Sequence, residues 1–288
     1  MGAPVRPHVA EPRTRRPAAA LRPYLSSYIG YHLEPQPPSV HQGVASGHLT
    51  LLLCLDGTLR LLANADRSKP PGTFVAMASG LHNGPAEIGM GERQTGLQLQ
   101  LTWRGARALL GVPAAELAGD TVDLAALLGR RTDTLLDRLA TATTWAQRFD
   151  LLDVELQAMA DAGRADRGVR PEVGHAWDRL QRTGGNLRIA ELADEVGWSR
   201  RHLAAQFHAE TGLTPKGAAR VIRFERVCDR LRGPNRPALA AAAADAGYVD
   251  QAHLSRDFRE LAGSTATAWL RERLPSAELD EPGTVVRS

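Results

Sequence analysis

Between Leu21 and Thr102 the apolar positions fall in short bursts with strand-like spacing. The runs "HLTLLLCL" and "TLRLLA" flank Asp56-Gly57, a dipeptide whose turn chemistry predicts a hairpin between them. "GTFVAMA" and "TGLQLQLTW" follow. In the last run Leu97, Leu99 and Leu101 alternate with Gln98, Gln100 and Thr102, which predicts a half-buried strand with one apolar face. Several short strands at this spacing predict a small β-sandwich or barrel. From Gly105 the period lengthens. "GARALLGVPAAELAGDTVDLAALLG" reads as short helices broken at Gly111-Val112-Pro113 and at Gly119. Leu135, Leu136, Leu139, Trp145, Phe149, Leu152, Leu156 and Met159 then recur at three- and four-residue steps, as on amphipathic helices. Such helices cover the sheet or pair two copies of the chain.

The flanking segments lack this periodicity. Residues 1–20 are rich in Pro, Arg and Ala and read as a disordered arm. "GRADRGVRPEVG" is the best linker, placed at 163–172. Beyond it Val173, Trp177 and Leu180 begin a new helical pattern. The expected organisation is therefore an arm at 1–20, an α+β regulatory domain at 21–162, the linker, an all-α domain at 173–274 and a flexible tail at 275–288.

The all-α region contains an internal repeat. "GWSRRHLAAQF" (197–207) returns as "GYVDQAHLSRDF" (247–258). Phe207 aligns with Phe258, Leu203 with Leu254, His202 with His253, Ser199 with Asp250 and Gly212 with Gly263, all 51 residues apart. Upstream the offset is 50: Gly197 aligns with Gly247 and Ala193 with Ala243, so the second turn holds one extra residue. Each copy predicts a short helix, a bend at a glycine that accepts positive φ, and a second helix capped by Ser199 or Asp250. Leu203 with Phe207, and Leu254 with Phe258, then face inward. This is the layout of a helix-turn-helix, whose second helix enters the DNA major groove. The joining segment "TPKGAARVIRFERVCDRLR" carries an apolar stripe that includes Cys228.

Composition changes this picture little. The 288 residues, 43% hydrophobic, suffice for about two domains. Residues 164–275 hold 19 Lys/Arg against 14 Asp/Glu, while 1–163 hold 15 of each, so the positive excess lies with the repeat. Of the 35 cations 33 are Arg, a bias that the high Ala and Gly content ascribes to a GC-rich genome, so Arg content alone says little about nucleic acid. Two distant cysteines, Cys54 and Cys228, form no zinc motif and fit a reducing, cytoplasmic setting. No apolar run approaches membrane-spanning length, and no signal peptide is read at the N-terminus. No His-x-His, GxSxG, phosphate loop or HExxH occurs, so no catalytic residue, cofactor or metal is expected.

Residues 173–274 resemble the DNA-binding domain of the AraC/XylS family of transcription regulators. The resemblance rests on "IAELADEVGWSRRHLAAQFHAETGLTPKGAARVIRFERVCDRL" and "LAAAAADAGYVDQAHLSRDFRELAGSTATAWLRERL", above all on the Gly-aromatic-x-Asp-Gln-x-His-x-x-Arg-x-Phe string. "GARALLGVPAAELAGDTVDLAALLG" is similar to a segment in the sensor halves of one subgroup. The resemblance implies seven helices, two helix-turn-helix units joined by a long helix, and a monomer reading two successive major-groove segments. The outward positions that would touch DNA are Arg200, Arg201, Ala204 and Ala205 in the first copy, and Gln251, Ala252, Ser255, Arg256 and Arg259 in the second. Arg can bond guanine and Gln adenine in bidentate fashion; alanines leave only methyl contacts. The expected partners are double-stranded DNA, a small-molecule effector for the β-rich half, RNA polymerase and a second copy through that half, with no membrane. The alternatives are a regulator governed by a protein partner or by abundance, and, further off, an enzymatic N-terminal domain.

Overall fold

The structure, a computed structural model, describes residues 9–163, 169–233 and 235–273. Among these, ten strands form two antiparallel sheets. The larger sheet has the order β1 (Val9–Arg15), β2 (Leu25–Leu33), β9 (Gln94–Leu101), β4 (Leu49–Asp56), β7 (Ala76–Ser79), β10 (Thr121–Asp123). The smaller has the order β3 (Ser39–Gly43), β8 (Ala86–Met90), β5 (Leu59–Ala63), β6 (Gly72–Phe74). The expected sandwich or barrel is thus present, but the expected hairpin is not. β4 pairs with β9 and β7, and β5 with β6 and β8. Asp56-Gly57, with Gly57 at φ +78°, is a corner that hands the chain from one sheet to the other. The reason lies in β4, which is buried on both faces. Leu49, Leu51 and Leu53 face one cluster and Leu52 and Cys54 another, so the strand takes the centre of a sheet.

The second of these clusters fills the space between the sheets with Tyr31, Leu33, Leu52, Cys54, Leu59, Leu61, Met77 and Ala86. A shallow, half-open dent of about 20 Å³ lies at its end, lined in part by Leu33, Arg60, Met90 and Gln94. On the other face of the larger sheet, Leu97, Leu99 and Leu101 are fully buried under helices. These are α1 (Trp103–Gly105), which runs on as a π-helical turn over Ala106–Leu110, then α2 (Leu124–Leu128), α3 (Arg131–Thr141) and α4 (Trp145–Gly163). Leu139, Phe149, Leu152 and Leu156 are the covering side chains.

The arm expected at 1–20 is corrected in part. Residues 1–8 lie outside the described residues, but 9–15 form the edge strand β1. Pro12 falls in its register shift between Ala10 and Arg13, where a missing N–H is tolerated. Arg15 anchors its end, bonding Asp150 and Asp153 of α4 at 2.5 Å each. In the expected linker, 164–168 lie outside the described residues, while Gly163 ends α4 and Pro171 opens the next helix. The tail at 275–288 lies wholly outside them.

Among the described residues seven helices follow: α5 (Pro171–Arg182), α6 (Ile189–Glu195), α7 (Arg200–Thr211), α8 (Pro215–Arg232), α9 (Leu239–Asp245), α10 (Gln251–Ala262) and α11 (Ala266–Arg273). α5, α6 and α7 do not form a core apart from the β-rich half. Val173, Trp177, Leu192, Leu203 and Phe207 belong to the same buried cluster as Leu97, Trp103 and Leu152. The second unit gathers around a separate cluster, with Phe224, Val227 and Cys228 of α8 packed on Leu254, Phe258 and Trp269, which Ala45 from the segment between β3 and β4 also enters. No helix among the described residues is long and apolar enough to cross a membrane.

Candidate nucleic-acid interface

The two copies of the repeat fold alike. α6 and α9 each have seven residues, and α7 and α10 each have twelve. Gly197 and Gly247 bend the chain at φ +70° and +81°, a region costly for any residue with a Cβ. One residue on, the Trp198 N–H bonds the Ala193 carbonyl and the Tyr248 N–H bonds the Ala243 carbonyl, each at 3.0 Å. Ser199 then accepts from the His202 N–H at 3.2 Å, and Asp250 from the His253 N–H at 2.6 Å. Both helices therefore begin at a capped end, as the sequence predicts, and both end on a left-handed glycine, Gly212 or Gly263. The extra residue of the second turn is Val249, 89% exposed beside the start of α10.

The paired histidines do something the sequence reading missed. The His202 ring sits edge-on against Trp198 (4.7 Å between ring centres) and the His253 ring against Tyr248 (5.0 Å). Each ring thus braces the aromatic residue of its own turn. The joints after the units also match. Thr214 caps α8 by accepting from Gly217 N–H at 3.0 Å, and Thr265 caps α11 by accepting from Ala268 N–H at 3.2 Å.

Of the nine positions singled out, Arg200, Arg201, Ala205, Gln251, Ala252, Arg256 and Arg259 are exposed. Ala204 and Ser255 are half-buried, and the Ser255 hydroxyl donates to the Gln251 carbonyl at 2.9 Å. Among the described residues, Arg200, Arg201, Arg256 and Arg259 form no ion pair. Four other arginines of the helical half do. Arg179 pairs with Glu195 at 2.6 Å, Arg188 with Glu191 at 2.8 Å, Arg230 with Asp245 at 2.5 Å and Arg232 with Asp229 at 2.9 Å. Hydrogen bonds from Arg179, and then from His175, hold the Glu195 carboxyl at about 2, well below the usual range.

Behind α10 lies a buried carboxylate that sequence reasoning also missed. Asp257, 3% exposed at its side chain, accepts from Arg220 of α8 at 2.7 Å and from the Tyr248 hydroxyl at 2.8 Å. Arg220 also pairs with Glu260. These bonds fix the rotation of α10 against α8 and the second turn. The signal was available in the text: the first copy has Gln206 where the second has Asp257.

Two capped helices of equal length, each presenting its first turns to solvent, define a tandem helix-turn-helix protein. Residues 192–272 match the family model described as a helix-turn-helix domain. Over 69 residues the chain is 32% identical to YbfI of Bacillus subtilis (strain 168), an uncharacterized HTH-type transcriptional regulator; the match spans 24% of each protein, about a quarter of that relative's length. ToxT from Vibrio cholerae is similar in structure, with a TM-score of 0.51 at 9% identity over 85% of this chain and 97% of that one. Unsaturated fatty acid-bound wild-type ToxT from strain SCE256 gives the same TM-score at 11% identity over 89% and 96%. At these identities the likeness to ToxT is one of fold alone. Among the described residues, no group of three or more His, Cys, Asp or Glu side chains is placed to hold a metal ion.

Proposed function

We propose that the protein is a sequence-specific regulator of transcription that binds double-stranded DNA, reading two successive major-groove segments with α7 and α10. One observation carries the reading. Among the described residues Arg200, Arg201, Arg256 and Arg259 on the two exposed helices form no ion pair, whereas Arg179, Arg188, Arg230 and Arg232 are each paired with a carboxylate. An unpaired guanidinium keeps its full charge and its fork of donors for phosphate or guanine. Arg200, Arg201 and Arg256 are assigned to bases, with Gln251 as the adenine reader. Ala204, Ala205 and Ala252 are assigned to thymine methyls, and Ser255 and Arg259 to the backbone.

The N-terminal half is proposed to control this binding through a small-molecule effector. Support comes from its fold, shared with a ToxT that has been seen with an unsaturated fatty acid bound. The second reading, control by a protein partner or by abundance, is favoured by a different observation: apolar side chains already fill the space between the sheets. RNA polymerase as a further partner, pairing of two copies through the N-terminal half and a cytoplasmic location complete the proposal.

Selection of bound sequences from random DNA tests it. A two-part site should emerge, with halves about one helical turn apart. At fixed salt, Arg256→Ala should then lose about 1–3 kcal/mol of preference at one base pair while keeping the fold. Preference unchanged at every position would remove Arg256 from the reading surface.

A further inference from the structure

The N-terminal half touches both reading helices, and it does so at equivalent points of the repeat. Glu210, in the last turn of α7, aligns with Leu261 in the last turn of α10. Arg107, in the π-helical turn after α1, donates to Glu210 through Nε at 2.9 Å and Nη2 at 2.8 Å. At the other helix the Ala45 N–H, from the segment between β3 and β4, donates to the Leu261 carbonyl at 2.9 Å. The glycine caps repeat the pattern. A Cβ on Gly212 would lie 2.3 Å from that of Ala118 and 3.1 Å from Ala115 Cα, and one on Gly263 would lie 3.1 Å from Gln42 and Pro85. Both helices are thus held from behind at their C-terminal ends. Their N-terminal turns, which carry Arg200, Arg201, Gln251 and Ala252, stay exposed.

Glu210 has no reason of its own to be where it is. A carboxylate in the last turn opposes the helix dipole, and this one is almost buried. The second copy places leucine there, inside its own core. Arg107 from the other half of the molecule is what compensates the charge. Around the joining helix the grip continues. Glu225 of α8 accepts from Ser46 Oγ at 2.8 Å, His48 Nδ1 at 3.3 Å and the Gly47 N–H at 3.4 Å.

We propose that Arg107 and Glu210 are positioning residues for DNA binding: together with the Ala45–Leu261 contact they brace the two reading helices, so that the N-terminal half sets the spacing between the half-sites the protein accepts. The proposal rests on the regulator reading above. Two readers joined rigidly bind tightly only when their separation matches the DNA; joined loosely, they tolerate more spacings at lower affinity. One base pair moves the second half-site by about 3.4 Å along the axis and rotates it, so a rigid pair should sense a single insertion.

The experiment uses the full chain, as wild type, Arg107→Gln and the double variant Arg107→Gln/Glu210→Gln, each checked for native near-ultraviolet circular dichroism. The double variant leaves no buried charge unpaired and so guards against simple misfolding. Binding is measured on the selected site, on sites with one or two base pairs inserted or removed between the halves, and on single halves. Spin labels at Ala205→Cys and Ala252→Cys report the distance between the readers without DNA. Wild type should lose about tenfold or more for a single insertion and show a narrow distance distribution. The variants should fall to within about threefold across spacings, with half-site binding unchanged and a broadened distribution. Wild-type spacing preference and distances in the double variant would overturn the brace, as would an equal loss on half-sites and whole sites. If wild type enriches no DNA at all, the regulator reading falls and takes the spacing claim with it; the brace fails alone only when wild type does select a two-part site.

Discussion

Single side chains carry the clearest consequences for pH. His82 lies in the turn between β7 and β8, where its Nδ1–H donates to the Gly84 carbonyl at 2.5 Å. Burial lowers its pKa, and the bond to Gly84 only partly opposes this, so the imidazole is held neutral in the fold. An unfolded histidine takes up its proton near pH 6.5, and the folded one does so lower. Below about pH 6.5 the unfolded chain therefore binds more protons, and stability falls as pH falls. It should fall by up to about 1.4 kcal/mol per pH unit until the folded value is reached. His82→Asn, which keeps a donor for Gly84, should flatten that slope between pH 7.5 and 5.5 in urea unfolding. Equal slopes in the two proteins would place the acid sensitivity elsewhere. The turn itself abuts the helical domain: the Asn83 amide occupies the space beside Gly217, and Pro85 that beside Gly263.

At the scale of elements, the second helix-turn-helix is fixed by polar bonds that the first does without. Asp257 is the hub, satisfied by Arg220 and Tyr248 at once. Asp257→Ala should cost about 3 kcal/mol, the low end for breaking a buried pair, because Arg220 is a third exposed and can recover water. Gln206→Ala, at the matching place in the first copy, should cost within about 0.5 kcal/mol. Denaturant midpoints of the two variants make the comparison directly. The elements themselves were largely legible in the sequence, for a physical reason. Ser199, Asp250, Gly197 and Gly247 act over four or five residues, so caps and bends can be read locally. Strand pairing is not local. Asp56-Gly57 marks a turn wherever it occurs, but whether the next strand folds back or changes sheet depends on what covers the far face of β4. The same distinction separates Arg256, whose outward position follows from helical spacing, from Glu210, whose role depends on an arginine 103 residues away.

The whole molecule departs most from the linear reading, which drew a linker between two domains. Trp103 stands beside Trp177 of α5 (6.2 Å between ring centres), and Trp177 stacks on Phe207 of α7 at 5.7 Å. Arg104 lies over the Trp103 ring and bonds Asp178 at 3.1 and 3.2 Å. This aromatic run carries one core from the β-sheet into the first helix-turn-helix, whereas the second unit gathers around Phe224, Phe258 and Trp269 and takes only Val44 and Ala45 from the N-terminal half. The boundary of cooperative structure should accordingly fall inside the helical domain, along α8, rather than at the linker. Native-state hydrogen exchange on the full chain can see this. Trp103→Ala, which empties a fully buried site at about 3–5 kcal/mol, should lower protection in β2, β9, α5, α6 and α7 together. Amides of α9, α10 and α11 should keep theirs. Protection lost only within residues 9–163 would restore the linker as the boundary. Loss that includes α7 but spares α10 would mean that the two readers respond unequally to whatever the N-terminal half senses. The first copy, with alanines at positions 204 and 205, would then be the adjustable reader and the second the fixed one.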